Sequence, residues 1–372
     1  VAWITLSFQN DLDKSVADFS RGATVNRMST RPRIADVARR AGVSVTTVSH
    51  TFSGNGVVAA ETRERVRAAA HELGYRPDVL AQGLRRNRLS VLALVARPLD
   101  RIAPDQLTGV DYFLRLAGAA AMAALDAGYC LMLVGDPARD DAPSAALAAE
   151  GILLTEPTLD DPLIDLCERI GTPCVTVGLP PRDDGTWDDD APGHVGIETE
   201  RLTVDVLEHL VAAGAREIAF LAADERDEWS LRSVEVYRRW CAARGMPARV
   251  VRHVDSIGVE AGRDAVDRWF PPGSVPGVDG APDALFCLAA APAVGAVARL
   301  RELGHEVPGA VRIAVGSDAE EARAADLTAV DLQPEELARR AVTTLIATLR
   351  GTDPPALPPG VGRLVPRGST AY

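Results

Sequence analysis

Apolar residues change their spacing along this chain, and the change divides it. From Ile34 they fall at Ile34, Val37, Ala38 and Ala41, the one-sided stripe of a short amphipathic helix. Gly42 comes next, where a glycine can take left-handed backbone and turn the chain sharply. Ser44 then occupies an N-cap position ahead of a second helix beginning at Val45, its hydroxyl able to accept a backbone N–H. Two short helices about a Gly-containing turn make a helix-turn-helix pattern, whose second helix suits the major groove of DNA. A third helix is predicted over Glu61–Leu73, with Val66, Ala69, Ala70 and Leu73 inward and Gly74 as its stop. Three such helices can close around one core, which two cannot.

After Leu89 short apolar runs alternate with helical stretches. Val91–Val95, Cys130–Val134, Gly151–Leu154 and Pro173–Val177 are apolar enough for central parallel strands. A second series runs through helix Glu200–Ala213, strand Glu217–Leu221, helix Leu231–Arg244, strand Ala284–Cys287, helix Ala293–Leu303 and strand Val311–Val315. Such alternation predicts parallel sheets with helices on both faces and ligands bound beyond the carboxyl ends of the strands.

Charge sharpens the division. The 372 residues carry a net charge of −12, which read globally argues against nucleic acid. Residues 28–90, however, hold 11 arginines against 5 acidic side chains, a net of +6, and residues 91–372 carry −18. A basic head on an acidic body directs phosphate binding to the head. The five cysteines, Cys130, Cys167, Cys174, Cys241 and Cys287, are scattered without metal-ligand spacing, which suits reduced thiols in a cytoplasmic protein. There is no run of 18 apolar residues and no cleavable signal, so neither membrane nor export is expected. Residues 1–27 hold Lys14, the chain's one lysine, and two of its four asparagines. They read as an extension from a start placed upstream of Met28, or as a weakly ordered arm.

Ordered across the head are Asp36-Val-Ala38, Ala41-Gly-Val-Ser44, Thr47-Val-Ser49, Thr62-Arg-x-x-Val66 and Gly74-Tyr-x-Pro77. In this series the chain resembles the lactose-repressor/galactose-repressor family of bacterial transcription regulators. The resemblance implies a small all-α helix-turn-helix head over residues 28–76, a hinge helix over 77–88 and a two-lobed α/β body over 89–372. That body would be built like a type I periplasmic binding protein, with parallel sheets and crossovers near Gly214, Leu332 and Gly351. It further implies that Val45, Thr46 and His50 touch base edges. Ser44, Thr47 and Ser49 carry short hydroxyls suited to phosphate. Arginine is common in the family where His50 stands. A histidine has fewer donors for guanine than a guanidinium, so its grip is expected to be weaker and pH-sensitive. In the hinge, Leu84 would wedge between base pairs with Ala81 packed beside it, while Asp78 replaces an asparagine at the hinge start. Arg33 and Ala59 stand where capping Thr or Ser is usual, a loss of roughly 1 kcal/mol each.

In the body the resemblance weakens. Sugar-binding members present an arginine where this chain has Ser233, with Arg232 one position away. An Asn-Asp pair is replaced by Ala289-Ala290. Asp318 remains of the usual polar set, and Arg97, Arg201 and Trp229 complete the effector candidates with Ser233. No phosphate loop, no Gly-x-Ser-x-Gly and no metal cluster is found, so no catalytic residue, cofactor or metal is assigned. The expected protein is a cytoplasmic homodimer, without a heptad tail after Tyr372 to pair dimers. As a repressor it reads a near-palindromic double-stranded operator, without a membrane partner, and answers to a small-molecule effector such as a modified sugar or other metabolite. The alternatives are a regulator whose degenerate cleft leaves it constitutive, and a solute-binding protein.

Overall fold

The computed structural model describes residues 32–53, 56–76, 89–97, 111–140, 142, 144–189, 191–253, 258–278, 280–354 and 361–371. The chain divides into two units, Val1–Arg88 and Leu89–Tyr372.

In the first unit, α1 (Ile34–Ala41), α2 (Val45–Ser53) and α3 (Ala60–Leu73) enclose a small core. Val37, Ala38, Ala41, Val48, Val66, Ala69 and Ala70 are buried in it, with Ile34, Phe52, Leu73 and Tyr75 packed around them. Gly42 and Gly74 both stand in left-handed backbone, at φ 66° and 65°, and end α1 and α3 as the sequence predicts. Arg33 has no acceptor to offer α1. The Asp36 carboxylate instead accepts from the Arg33 backbone N–H at 2.8 Å, which supplies half of a capping box. Ala59 leaves the start of α3 without a side-chain cap.

The second unit contains two lobes. Strands β1 (Val91–Ala96), β2 (Cys130–Val134), β3 (Gly151–Thr155), β4 (Cys174–Val177) and β5 (His194–Val195) form a parallel sheet in the order β2-β1-β3-β4-β5. Helices α4 (Asp111–Asp126) and α5 (Pro162–Ile170) flank it. Helix α6 (Thr199–Ala212) follows, then β6 (Ile218–Ala223), α7 (Glu228–Ala243), β7 (Arg249–His253), α8 (Val259–Trp269) and β8 (Ala284–Cys287). The remaining elements are α9 (Ala290–Glu302), β9 (Arg312–Val315), α10 (Glu320–Ala324), β10 (Thr328–Asp331), α11 (Pro334–Arg350) and β11 (Arg363–Val365). The second sheet runs β11-β10-β9-β8-β6-β7 and is parallel except for β11, which pairs antiparallel with β10. Helices α8 and α9 cross so closely that Gly262 and Gly295 each face backbone of the other helix.

The chain crosses between lobes three times. The first crossing lies at residues 196–198, ahead of α6, and not near Gly214. The reason is burial: Leu202, Val206, Leu207 and Leu210 of α6 share the second lobe's core with Ile218 and Phe220. The second crossing lies between β10 and α11, whose Leu337, Ala341 and Leu345 pack with Leu92 and Leu153 of the first lobe. The third joins α11 to β11. Two crossings are tied together at Gly362. Its N–H donates to Gln333 Oε1 at 3.0 Å, and its carbonyl accepts from Arg201 Nη2 at 2.9 Å.

Candidate DNA-reading surface and effector cleft

The second helix of the head starts where its sequence says it should. Ser44 Oγ accepts the Thr47 backbone N–H at 3.1 Å and lies 2.9 Å from Thr47 Oγ1, so the cap is made. Val48 and Thr51 turn inward, and Thr51 Oγ1 donates to the Thr47 carbonyl at 2.9 Å. With that face buried, the opposite face presents Val45, Thr46 and His50, all exposed, beside exposed Ser44. Thr47 and Ser49 are half-buried at its margins. The His50 ring lies against Gly56, where an added Cβ would stand 2.6 Å from Nδ1. Arginines gather on the outer faces of the neighbouring helices, among them Arg39, Arg65 and Arg67. Arg40 pairs with Glu72 at 2.6 Å and links α1 to α3. The hinge residues Asp78, Ala81 and Leu84 lie outside the described residues.

In the body, the carboxyl ends of β3 and β6 face a shared cavity of about 420 Å³ lined by Thr158, Leu159, Asp160, Asp224, Glu225 and Arg226. These residues went unnamed in the sequence reading. The signal that finds them is topological, since each is among the first residues past the end of a parallel strand.

Arg97, just after β1, is 11% exposed, and its guanidinium is committed within the first lobe. Nη2 reaches Asp161 at 2.6 Å and Asp136 at 3.0 Å, and Nη1 donates to Thr158 Oγ1 at 3.2 Å. Asp161 also caps α5, accepting from Leu163 N, so Arg97 shapes the turn that walls the cavity. Trp229 and Asp318 each follow the carboxyl end of a second-lobe strand, β6 and β9 respectively. Trp229 is half-buried in the first turn of α7, and a Cβ added to Gly316 would lie 3.2 Å from its Cζ2. Asp318 Oδ1 lies 2.8 Å from Arg367 Nη2, an ion pair without hydrogen-bond alignment, and Arg323 Nη1 stands 4.0 Å from Oδ2.

Two effector candidates do not belong to the cleft. Helix α7 begins at Glu228, not Leu231, which puts Ser233 in its second turn. There it is fully buried against α6, accepting a hydrogen bond from Thr203 Oγ1 at 3.2 Å. Arg201 is a crossover tie, bound to Glu198, Asp205 and the Gly362 carbonyl. Arg232 does not replace the missing arginine either. It is held by Asp189 at 2.7 and 3.0 Å and by Glu228 at 3.2 Å, and lies over the Trp187 ring. Ala289 and Ala290 offer no polar side chain at the start of α9.

Side chains of the chain itself join the lobes. Glu228 of α7 accepts from the Leu179 backbone N–H at 2.8 Å and from Thr199 Oγ1 at 3.0 Å. Burial pushes its carboxyl above the ordinary range, opposed by these bonds and by Arg232. Trp187 Nε1 donates to Glu235 at 3.1 Å, and Arg323 Nη2 pairs with Asp111 at 3.0 Å. Tyr112 packs against both lobe cores, its hydroxyl pushed up by burial and by the carboxylates of Glu156 and Asp227. Asp227 itself is raised by burial. Among the described residues no group of three or more His, Cys, Asp or Glu is placed to hold a metal ion, and no helix is long and apolar enough to cross a membrane.

A capped recognition helix on a compact three-helix unit, followed by two parallel-sheet lobes, defines a helix-turn-helix regulator with a periplasmic-binding-like body. Comparison narrows the class. Residues 33–78 match "Bacterial regulatory proteins, lacI family", and residues 207–370 match "Periplasmic binding protein-like domain". Residues 33–78 thus carry a lacI-family DNA-binding head, and the chain is a DNA-binding transcription regulator similar to members of that family. It is 28% identical to catabolite control protein A of Staphylococcus xylosus over 51% of this chain and 55% of that protein. It is also 28% identical to the transcriptional regulator CelR of Thermobifida fusca, over 85% of this chain and 91% of that one. Among solved structures, a lac repressor dimer bound to operator and the anti-inducer ONPF superimposes with a TM-score of 0.74 at 22% identity. That match covers 92% of this chain and all of that one. These relatives are transcription regulators.

Proposed function

We propose that the protein is a cytoplasmic repressor that binds a near-palindromic operator as a homodimer, with a small molecule in the interlobe cleft setting its affinity for DNA. The observation that carries this reading is the exposed face of α2, where Val45, Thr46 and His50 stand clear of a core that holds Val48 and Thr51. In the major groove those three side chains reach base edges, while Ser44, Thr47 and Ser49 lie nearest the phosphates. On the family resemblance Asp78, Ala81 and Leu84 contact the DNA as well, Leu84 at a central pyrimidine–purine step. The dimeric, operator-bound lac repressor structure supports the assembly. The solved structure of a CelR–cellobiose complex supports a sugar-like effector.

The cleft narrows the effector's chemistry. Arg97 is already paired, Ser233 is buried and the Asn-Asp pair is absent, so few directional groups remain for hexose hydroxyls. The effector is therefore a modified sugar or another metabolite, bound between Thr158–Asp160 and Asp224–Arg226. A second reading, constitutive DNA binding, draws on the internal pairing of Asp318, Arg97 and Arg232. Retention of genomic DNA fragments on the purified protein, followed by sequencing, tests the proposal. A shared two-fold motif is expected, and retention without sequence preference would refute the operator reading. Release of that motif by one compound from a metabolite panel separates gated from constitutive binding.

A further inference from the structure

Helix α5 ends in a turn that brings two cysteines together. Gly171 takes left-handed backbone at φ 70°, and the Thr172 N–H returns to the Cys167 carbonyl at 3.0 Å. The chain then enters β4 directly at Cys174, which registers opposite Ile152 of β3. Both side chains belong to one cluster, with Cys167 buried beside Leu163 and Ile152, and Cys174 packed against them. The two thiols lie close enough to shift each other's ionisation, and neither is oxidised. Cys167 is 1% exposed, whereas Cys174 is half-buried and reaches the surface. The neighbouring Cys174 thiol holds the Cys167 thiol below its usual range, and Cys167 with burial pushes Cys174 up. The two thiols titrate as a pair, so the first ionisation belongs to both sulfurs, and exposure selects Cys174 as the one that meets an oxidant. The other described cysteines differ: Cys241 and Cys287 are buried apart, and Cys130 is exposed.

We propose that Cys167 and Cys174 form a reversible redox site that closes to an intramolecular disulfide by exchange with a low-molecular-weight disulfide. The Cys174 thiolate attacks one sulfur of the small disulfide, forming a mixed disulfide and expelling one thiolate. The Cys167 thiolate then attacks Cys174 Sγ, forming the Cys167–Cys174 bond and expelling the second. Two protein thiols are oxidised, one small disulfide is reduced to two thiols, and the protons pass to the expelled thiolates. Closure needs the two sulfurs to approach to about 2.05 Å. The consequence reaches the cleft, because α5 starts at the Asp161 cap that holds Arg97 and the Thr158 amide. A covalent tie at its far end stiffens that wall.

The test uses the full chain in mixtures of reduced and oxidised glutathione, trapped with iodoacetamide and digested with trypsin. Cleavage after Arg139, Arg169 and Arg182 puts the two cysteines on separate peptides, 140–169 and 170–182. The expected result is a joined species that grows as the oxidised fraction rises and disappears when reduced glutathione is restored. Cys174→Ser is expected to abolish it. Glutathione adducts on Cys130 with 140–169 and 170–182 still separate and alkylated would overturn the proposal. So would a joined species that forms only after denaturant is added.

Discussion

Arg367 holds the Asp318 carboxylate at 2.8 Å, and so ties the turn after β9 to the segment after β11. Arg367 is anchored in turn, with Nη1 donating to the Leu327 carbonyl at 2.7 Å and its N–H to Thr328 Oγ1 at 2.8 Å. With side chains 13% and 17% exposed, the pair is partly desolvated, and removing one partner leaves the other uncompensated. Asp318→Ala is expected to destabilise the body by about 1–3 kcal/mol. Arg367→Ala should cost a similar amount, and the double variant less than their sum. Urea unfolding of the three variants checks this, and additive losses would show that the contact carries no coupling.

The crossing of α8 and α9 leaves no room for side chains at two glycines. A Cβ on Gly262 would stand 1.7 Å from the Pro292 carbonyl oxygen, and one on Gly295 1.8 Å from that of Val259. The obstacles are backbone, so the helices must separate. Gly262→Ala or Gly295→Ala is expected to lower stability by about 2–3 kcal/mol, although alanine is the better helix former. Unchanged melting temperatures would show that the helices are not packed this closely.

At the DNA, loss of a base-reading side chain costs specific binding more than general affinity for phosphate. His50→Ala is expected to weaken operator binding by about 1 kcal/mol or more, roughly fivefold to tenfold, with little change on random DNA. Equal losses on both DNAs, measured by fluorescence anisotropy at one salt concentration, would remove His50 from the readout.

The head was legible from sequence because its signals are local. Gly42, Ser44 and Gly74 each act on adjacent backbone, and the stripe through Val37, Ala38 and Ala41 closes on residues fewer than forty positions away. The body was legible where strands are continuous apolar runs, as in Val91–Ala96. Strand β7 was not, because it lies at the sheet edge and carries Arg249, Arg252 and His253 around two valines. The lobe on which a helix packs is a long-range choice, and so the first crossing was misplaced. Ser233 entered the candidates through a family resemblance, and its burial against Thr203 of α6 follows from how two helices pack, which the local sequence does not show.

Glu228 gives the interlobe contact a pH dependence. Its carboxyl is raised by burial, so between the ordinary carboxylate range and its folded value the native state binds more proton than the unfolded one. Stability therefore falls as pH rises through that window, by at most about 1.4 kcal/mol per pH unit for one proton. Glu228→Gln is expected to flatten this slope while keeping an acceptor for the Leu179 N–H. Asp227, raised in the same sense, leaves a residual slope. Glu335 and Glu336 are lowered by Arg115 and Arg340 respectively, and act in the opposite sense below the ordinary range. Denaturation from pH 4.5 upward reads the first effect apart from the second, and an unaltered slope in Glu228→Gln would assign it elsewhere.

Leu114, Met122 and Leu125 project from α4 at 54%, 61% and 58% exposure, and Leu133 on edge strand β2 is exposed by 54%. An apolar face of this kind suits a second copy of the chain in the proposed dimer. Met122→Asp with Leu125→Asp is expected to yield monomers in light scattering and to weaken operator binding at least tenfold. A dimer of unchanged stability would move the interface elsewhere.

The bonds from Leu179, Trp187 and Asp189 to Glu228, Glu235 and Arg232 belong to the chain, so the joined arrangement of the lobes carries its own stabilisation. A small molecule shifts a two-state balance only by its difference in affinity for the two states, and reversing a 99:1 population takes about 5.5 kcal/mol. A compound that merely fits the joined form therefore works in a direction already favoured. The compound that commands this switch is one that profits from prising the lobes apart.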